Sequence, residues 1–249
     1  KKIIDLEWEK IVREKKSAVY SIPRGLGTLY DTQNNVFTYD LTDFKTNAAA
    51  INTFSQRRLS PEVYKNLRTS VFGCSLHFKD GLILAQRRGP EVWTLEGKLD
   101  SSVAGYVHIK EKKIIFSDAI FGRLKSELGI LPEEISHLAF RGSHSSLKYF
   151  TGALDFRVEV DLTAEQVKAR FNRDLVAHAH FFHKEELSNF IIEHYLKKKD
   201  LIEEGCANFL ADLSKEKFEE VVKILRKSGK SIQCGKLIER VFVENGCNR

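Results

Sequence analysis

A tight reversal between two apolar runs is the feature that most restricts how this chain can fold. Residues 71–78 and 82–86 are both rich in apolar side chains, and the step Asp80-Gly81 lies between them. An Asp-Gly step suits the left-handed backbone of a short hairpin turn. The segment therefore predicts two antiparallel strands, and a sheet has to be built around them.

The clearest helix signal lies in residues 116–128. Four apolar side chains recur there at helical spacing: Phe116, Ile120, Leu124 and Leu128. Such a stripe is typical of a helix that packs one face on a core, and Ser117 is a candidate cap. Gly129 follows where a helix end favours a left-handed residue. We therefore expect a helix that stops at Leu128.

Weaker patterns organise the rest of the chain. Strands are expected at residues 18–22, 35–39, 102–109, 135–141, 156–160 and 177–182, and a flexible loop at 142–146. Helices are expected at residues 4–15, 184–196, 201–213 and 215–227, with a further helix start at Ser60-Pro61. Interleaved strands and helices predict an α/β/α sandwich with a mixed sheet. The predicted domains are an N-terminal β-containing extension (1–65), a central domain (66–196) and a helical extension (197–249).

Composition narrows the setting. The chain has 249 residues, of which 42% are hydrophobic and 30% charged, and its net charge is +6. No apolar run approaches the roughly 18–20 residues that a membrane helix needs. The four cysteines are widely spaced and form no C-x-x-C pair, which favours a reducing, cytoplasmic setting over a disulfide framework. The positive charge suits an anionic partner without requiring one.

The middle of the chain carries a recognisable motif. After the hairpin, which ends in Arg87-Arg88, come Trp93 and the segment Gly97-Lys98-Leu99-Asp100. Gly105 and Glu111 then match the pattern G-x5-E, and the tail residues Leu124, Glu127, Gly129 and Ile130 match U-x-E-E-x-G-U in part. From Gly81 to Ile130, the chain resembles the Nudix hydrolase family. The resemblance covers about half the chain and implies a Nudix-like sandwich.

The motif departs from the family pattern at its chemical core. Gly122-Arg123 stands where the family has Arg-Glu, and Ser126-Glu127 where it has Glu-Glu. Of the three helix carboxylates only Glu127 is kept, and the gap after Glu111 is three residues longer than the pattern. In the family these carboxylates hold Mg²⁺ or Mn²⁺ against a diphosphate, where the metal activates water.

The resemblance implies an enzyme with named residues. It would be a Mg²⁺- or Mn²⁺-dependent pyrophosphohydrolase of nucleoside diphosphates linked to another group. Glu127 and Glu111 would be catalytic and would bind the metal, with Asp118 in place of a missing ligand.

The substrate would meet a second set of side chains. Arg87, Arg88 and Arg123 would contact phosphate, since Arg suits phosphate well. Trp93 would stack on a base or belong to the core. Arg87 and Arg88 would equally be comfortable at a solvated strand end.

The competing hypothesis is a Nudix-like scaffold that binds a nucleotide, RNA or protein without hydrolysis. Two lost carboxylates and the charge of Arg123 both weaken cation binding, which favours this alternative. Lysines in the last 50 residues alternate with glutamates such as Glu203 and Glu204, which predicts solvated helix faces.

Residues 178–183 contain three histidines. They are His178, His180 and His183. On a strand, His178 and His180 would share one face, a spacing that can bind zinc. No Cys or third ligand is evident nearby, so an exposed strand face is the favoured interpretation. Asp174, Glu185 and Glu186 are candidates for a further acid or base.

Overall fold

The structure is a computed structural model. It describes residues 2–15, 26–31, 36–41, 44–53, 69–89, 95–106, 115–146, 151–172, 178–229 and 240–241. They fall into two compact units. Unit 1 consists of Lys1–Val71, Tyr106–Phe116 and Ser145–Ala153, and unit 2 of Phe72–Gly105, Ser117–His144 and Leu154–Arg249. The predicted three-part division stays a prediction.

Unit 1 contains two helices and a hairpin. They are α1 (Lys2–Lys15), β1 (Leu26–Asp31), β2 (Val36–Leu41) and α2 (Phe44–Thr53). β1 and β2 are antiparallel, and Gly27 of β1 also pairs with Thr69. An ion pair joins Lys45 of α2 to Asp5 of α1. The predictions at residues 4–15 and 35–39 are confirmed, whereas those at 18–22 and Ser60-Pro61 lie outside the described residues.

The predicted central hairpin is confirmed. Its strands are β3 (Thr69–Phe78) and β4 (Leu82–Arg87), which pair antiparallel with Leu76 opposite Leu84. Gly81 has a φ of +81°, so the turn uses the left-handed backbone that glycine adopts without strain.

The other strands assemble on this hairpin. They are β5 (Leu99–Asp100), β6 (Val103–Tyr106), β7 (Ile135–Ser146), β8 (Thr151–Val160), β9 (His178–His183) and β10 (Arg240–Val241). β4 pairs with β3, β5 and β9, while β3 also pairs with β6 and β8, and β7 lies between β8 and β10. The expected α/β fold with a mixed sheet flanked by helices is confirmed. The loop expected at residues 142–146 is wrong, because β7 runs through it.

The predicted helix at residues 116–128 is confirmed as α3 (Phe116–Leu128). Ile120, Leu124 and Leu128 are buried, as the apolar stripe requires. Gly129, with a φ of +67°, closes the helix as expected. Ser117 lies inside the helix and not before it, so the expected cap is wrong by two positions.

The remaining helices are α4 (Ala164–Lys168), α5 (Leu187–Ile191), α6 (Glu203–Ala211) and α7 (Lys215–Lys227). The helix expected at 184–196 is broken into a 3₁₀ turn (Lys184–Glu186), α5 and a π-helical segment (Ile192–Lys197). All residues of α6 from Gly205 to Ala211 are buried, so the expected solvated face is wrong for this helix. Stacked and edge-on rings of Phe182, Phe190 and Phe209 tie β9, α5 and α6 into one core. Among the described residues, none forms a helix long and apolar enough to cross a membrane.

Candidate functional site

Glu127, the only one of the three expected helix carboxylates that this chain has, is enclosed by hydrogen-bond donors. Its Oε1 lies 3.0 Å from Nη1 of Arg123, one helical turn earlier on α3. Its Oε2 accepts a hydrogen bond of 3.4 Å from Nε2 of Gln86 on β4. Glu127 is 8% exposed. Both carboxylate oxygens therefore already have partners within the protein.

The electrostatics of Glu127 reflect this enclosure. Burial raises the pKa of Glu127, and the nearby Asp100 carboxylate raises it further. The charge of Arg123 and the hydrogen bonds from Gln86 and Arg123 oppose the rise without cancelling it. Arg123 thus provides the positive charge that compensates a buried carboxylate.

Gly105, the glycine of the predicted motif, makes room for this arrangement. A Cβ atom at position 105 would lie 3.1 Å from the ring of Phe72 and 3.2 Å from Nε of Arg123. A larger residue would therefore require the Phe72 ring and the guanidinium of Arg123 to shift by a few tenths of an ångström. The backbone at Gly105 therefore packs closely against Arg123, which forms the ion pair with Glu127.

The other predicted metal ligands do not join Glu127. Asp118 is exposed and lies nine residues earlier on α3. At 3.6 residues per turn, nine residues correspond to two and a half turns, so the two carboxylates point to opposite sides, roughly 13 Å apart along the axis. Glu111 and Trp93 lie outside the described residues. Within the described ranges, no group of three or more His, Cys, Asp or Glu side chains could hold a metal ion.

The predicted phosphate-binding arginines, Arg87 at the end of β4 and Arg88 just after it, also face carboxylates. Nη1 of Arg88 lies 2.6 Å from Oδ2 of Asp100, whose Oδ1 accepts hydrogen bonds from the backbone N–H (2.7 Å) and Oγ (3.2 Å) of Ser101. Arg87 donates to the Gly97 carbonyl and lies 3.4 Å from Asp200. Arg87 and Arg88, like Arg123, are therefore each held by an acidic side chain.

Sequence analysis missed a buried polar cluster beside Asp100. In this cluster, Nδ1 of His144 on β7 lies 2.9 Å from Oδ2 of Asp155 on β8. Oδ1 of Asp155 accepts a 3.3 Å hydrogen bond from Nδ2 of Asn208 on α6. Glu204 lies one turn before Asn208 on the same helix face. The only signal in the sequence is this i, i+4 spacing, which a surface helix shows equally often.

Three atoms of the cluster have no hydrogen-bond partner in the described part of the chain. They are Nε2 of His144, Oε2 of Glu204 and Oδ1 of Asn208, all shut off from solvent. Burial raises the pKa of Glu204 to about 7, and Asp100 adds to the rise, against the opposing effect of His144. Burial lowers the pKa of His144, but the charge and hydrogen bond of Asp155, together with the charges of Glu204 and Glu203, outweigh it, and the net direction is upward.

Two of the three candidate acids or bases near β9 lie at the protein surface. Glu185 and Glu186 are exposed in the 3₁₀ turn after the strand, whereas Asp174 lies outside the described residues. His178 and His180 are exposed, and His180 approaches a histidine from another element, His194.

Comparisons with known proteins add little to this geometry. No protein-family model matches the chain, and no curated protein matches it. Among solved structures, the chain is similar to the crystal structure of DR0079 from Deinococcus radiodurans, with a TM-score of 0.42 and 18% sequence identity, over 67% of this chain and 88% of that one. The function therefore has to be argued from the chain's own residues.

Proposed function

We propose that this chain is a Nudix-like scaffold that binds a nucleotide-type ligand and does not hydrolyse it by the metal-dependent route of that family. The observation that carries the proposal is the enclosure of Glu127. Its two oxygens face Arg123 at 3.0 Å and Gln86 at 3.4 Å. The resemblance of residues 81–130 supplies the ligand class, and the wide spacing of the four cysteines, with no C-x-x-C pair, suits a cytoplasmic setting.

The described residues do not fit a catalytic Mg²⁺ or Mn²⁺ ion. A cation at Glu127 would have to share the two carboxylate oxygens with the donors Arg123 and Gln86, and it would lie beside the charge of Arg123. Loss of a single outer partner typically weakens metal affinity about 10–100-fold. Two missing carboxylates and an added arginine should weaken it by more than that. The same arginine favours binding of an anion, because a guanidinium carries five N–H donors and its pair with Glu127 uses Nη1.

The first test separates binding from hydrolysis. Titration of the protein with ADP-ribose and ADP-glucose should detect binding whose affinity does not depend on Mg²⁺ or Mn²⁺. A panel of such compounds should release no product in the presence of either metal. Turnover that is lost in Glu127→Gln but kept in Glu133→Gln, an exposed control, would overturn the proposal in favour of the hydrolase. Absence of binding would contradict the nucleotide part and point to RNA or a protein as the partner.

A second test restores the family motif on this scaffold. The triple change Gly122→Arg, Arg123→Glu and Ser126→Glu recreates the pattern R-E-U-x-E-E, and all three positions are exposed. A Cβ atom at Gly122 meets nothing within 4 Å, so the helix can accept the change. We expect Mn²⁺ affinity to rise by about tenfold or more. An unchanged affinity would mean that Glu127 does not mark a vestigial metal site.

A further inference from the structure

β9 presents histidines to a neighbouring helix. Because side chains alternate along a strand, His180 and Phe182 share one face, and His183 lies on the other. Phe182 is buried and stacks on Phe190 of α5 at a centroid distance of 4.0 Å. The ring of His180 lies 5.4 Å from the same phenylalanine. This packing directs His180 towards the helical segment that follows α5.

That segment is π-helical and carries His194. A π-helical turn holds an extra residue and re-aims its side chains, and such turns occur often at functional sites. Here Ile192–Lys197 adopts this form, with His194 buried in the middle. Its ring meets Phe190 at 4.5 Å and lies edge-on to His180 at a centroid distance of 5.3 Å.

Asp200 fixes the orientation of His194. Its Oδ1 lies 2.9 Å from Nδ1 of the imidazole. The backbone N–H groups of Asp200 and Leu201 both donate to the carbonyl of His194, at 3.0 and 3.2 Å, so the loop is held against the helix. A carboxylate on one ring nitrogen is the usual companion of a histidine that binds metal through the other. With Nδ1 held by Asp200, Nε2 is the nitrogen of His194 that is left for a metal, and the ring of His180 lies 5.3 Å from that imidazole.

We propose that His180 and His194 together bind a divalent transition metal such as Zn²⁺, with water completing the coordination. Two imidazoles suit Zn²⁺, Ni²⁺ and Cu²⁺, whereas Mg²⁺ prefers oxygen ligands. The pair supplies fewer ligands than a closed structural site, which typically has four. The site is distinct from the Glu127 region and does not depend on the proposed nucleotide binding.

Charged side chains near His180 and His194 affect how tightly the pair would hold a metal ion. Burial, His194 and the cations Lys198 and Arg87 lower the pKa of His180, against the opposing charge of Asp200. The two cations also repel a metal ion, so the Asp200 carboxylate contributes its negative charge as well as its hydrogen bond.

The experiment is a Zn²⁺ titration of the full chain, prepared without a histidine tag and freed of metal by chelation. We expect one Zn²⁺ per chain, no competition from excess Mg²⁺, and a Cu²⁺ electron paramagnetic resonance spectrum with coupling to two imidazole nitrogens. His180→Ala should abolish the site. Asp200→Asn should weaken it by about 10–100-fold.

The matched control is His183→Ala, an exposed histidine on the opposite face of the same strand. It should leave Zn²⁺ affinity unchanged. Because His180 is exposed, its replacement should not disturb folding, and circular dichroism checks this for each variant. No stoichiometric Zn²⁺ binding by the wild type, or equal affinity in His180→Ala, would overturn the proposal.

Discussion

Replacing Glu204 with glutamine should stabilise the protein at alkaline pH and leave it almost unchanged at acid pH. Oε2 of Glu204 is shut off from solvent and has no hydrogen-bond partner in the described residues. Burial is the main cause that raises the pKa of this carboxyl to about 7, and the charge of Asp100 raises it further. The folded protein therefore holds a proton at Glu204 over a pH range in which the unfolded chain has lost it.

The sign of the effect follows from proton linkage. Between pH 4.5, the ordinary pKa of the side chain, and about pH 7, the folded state binds more protons than the unfolded state. The free energy of unfolding therefore falls as pH rises through this window, and the full cost is present above it. Since one pKa unit corresponds to about 1.4 kcal/mol, ionisation of Glu204 costs up to about 3 kcal/mol.

The assay compares pH profiles of the two proteins by urea unfolding from pH 4.5 to pH 8.5. Other groups titrate in both proteins, so the difference between the profiles isolates Glu204. We expect Glu204→Gln to match the wild type near pH 4.5 and to exceed its unfolding free energy by up to about 3 kcal/mol at pH 8.5.

The control is Glu219→Gln, an exposed carboxylate on α7. Its profile should run parallel to the wild type at every pH. If the Glu204→Gln profile is also parallel, the carboxyl is ionised freely in the folded protein and the argument from burial fails.

Two further predictions concern α6 and α3. Gly205→Ala on α6 should lower the unfolding free energy by about 1–3 kcal/mol, because the new Cβ would lie 2.9 Å from the backbone of Asp100. Its control is Gly122→Ala on α3, which has open space at Cβ and should raise the unfolding free energy by up to about 1 kcal/mol. Equal melting temperatures for the two variants would contradict this. Arg123→Ala should destabilise the protein by about 1 kcal/mol or less, since its side chain is half-exposed, and the loss should be greater at pH 8 than at pH 5 because Glu127 ionises without its partner. Urea unfolding at both pH values measures this, and a loss that is the same at both would rule out a role for the charge.

The elements with strong local signals could be predicted closely. The Asp80-Gly81 step specified both the turn and the two strands beside it, and Gly81 has the positive φ that the turn requires. The stripe at residues 116–128 and the glycine after it identified α3 to the residue. In both cases the information lies within a few residues along the chain, where backbone preference and side-chain spacing act directly.

The partners of the site residues could not be predicted in this way. Arg88 meets Asp100, twelve residues away, and Arg87 meets Asp200 across 113 residues. Such pairs depend on which strands and loops become neighbours, and single-sequence patterns carry no record of that. Glu204 fails for a related reason, since the burial of a glutamate in the first turn of α6 depends on what packs against that turn.

Glu127 has one partner that local spacing predicts and a burial that only the fold determines. Its ion pair with Arg123 on α3 explains how a buried carboxylate can exist there without a metal ion. The spacing of Arg123 and Glu127 places them on one face of α3, as the sequence alone shows. Burial of Glu127 depends on contacts with β4, which the sequence does not show. A buried carboxylate is costly unless a positive charge compensates it. In the Nudix hydrolases that residues 81–130 resemble, a metal ion would provide that charge, whereas in this chain Arg123 provides it. An arginine at this position therefore opposes cation binding and at the same time removes the need for it.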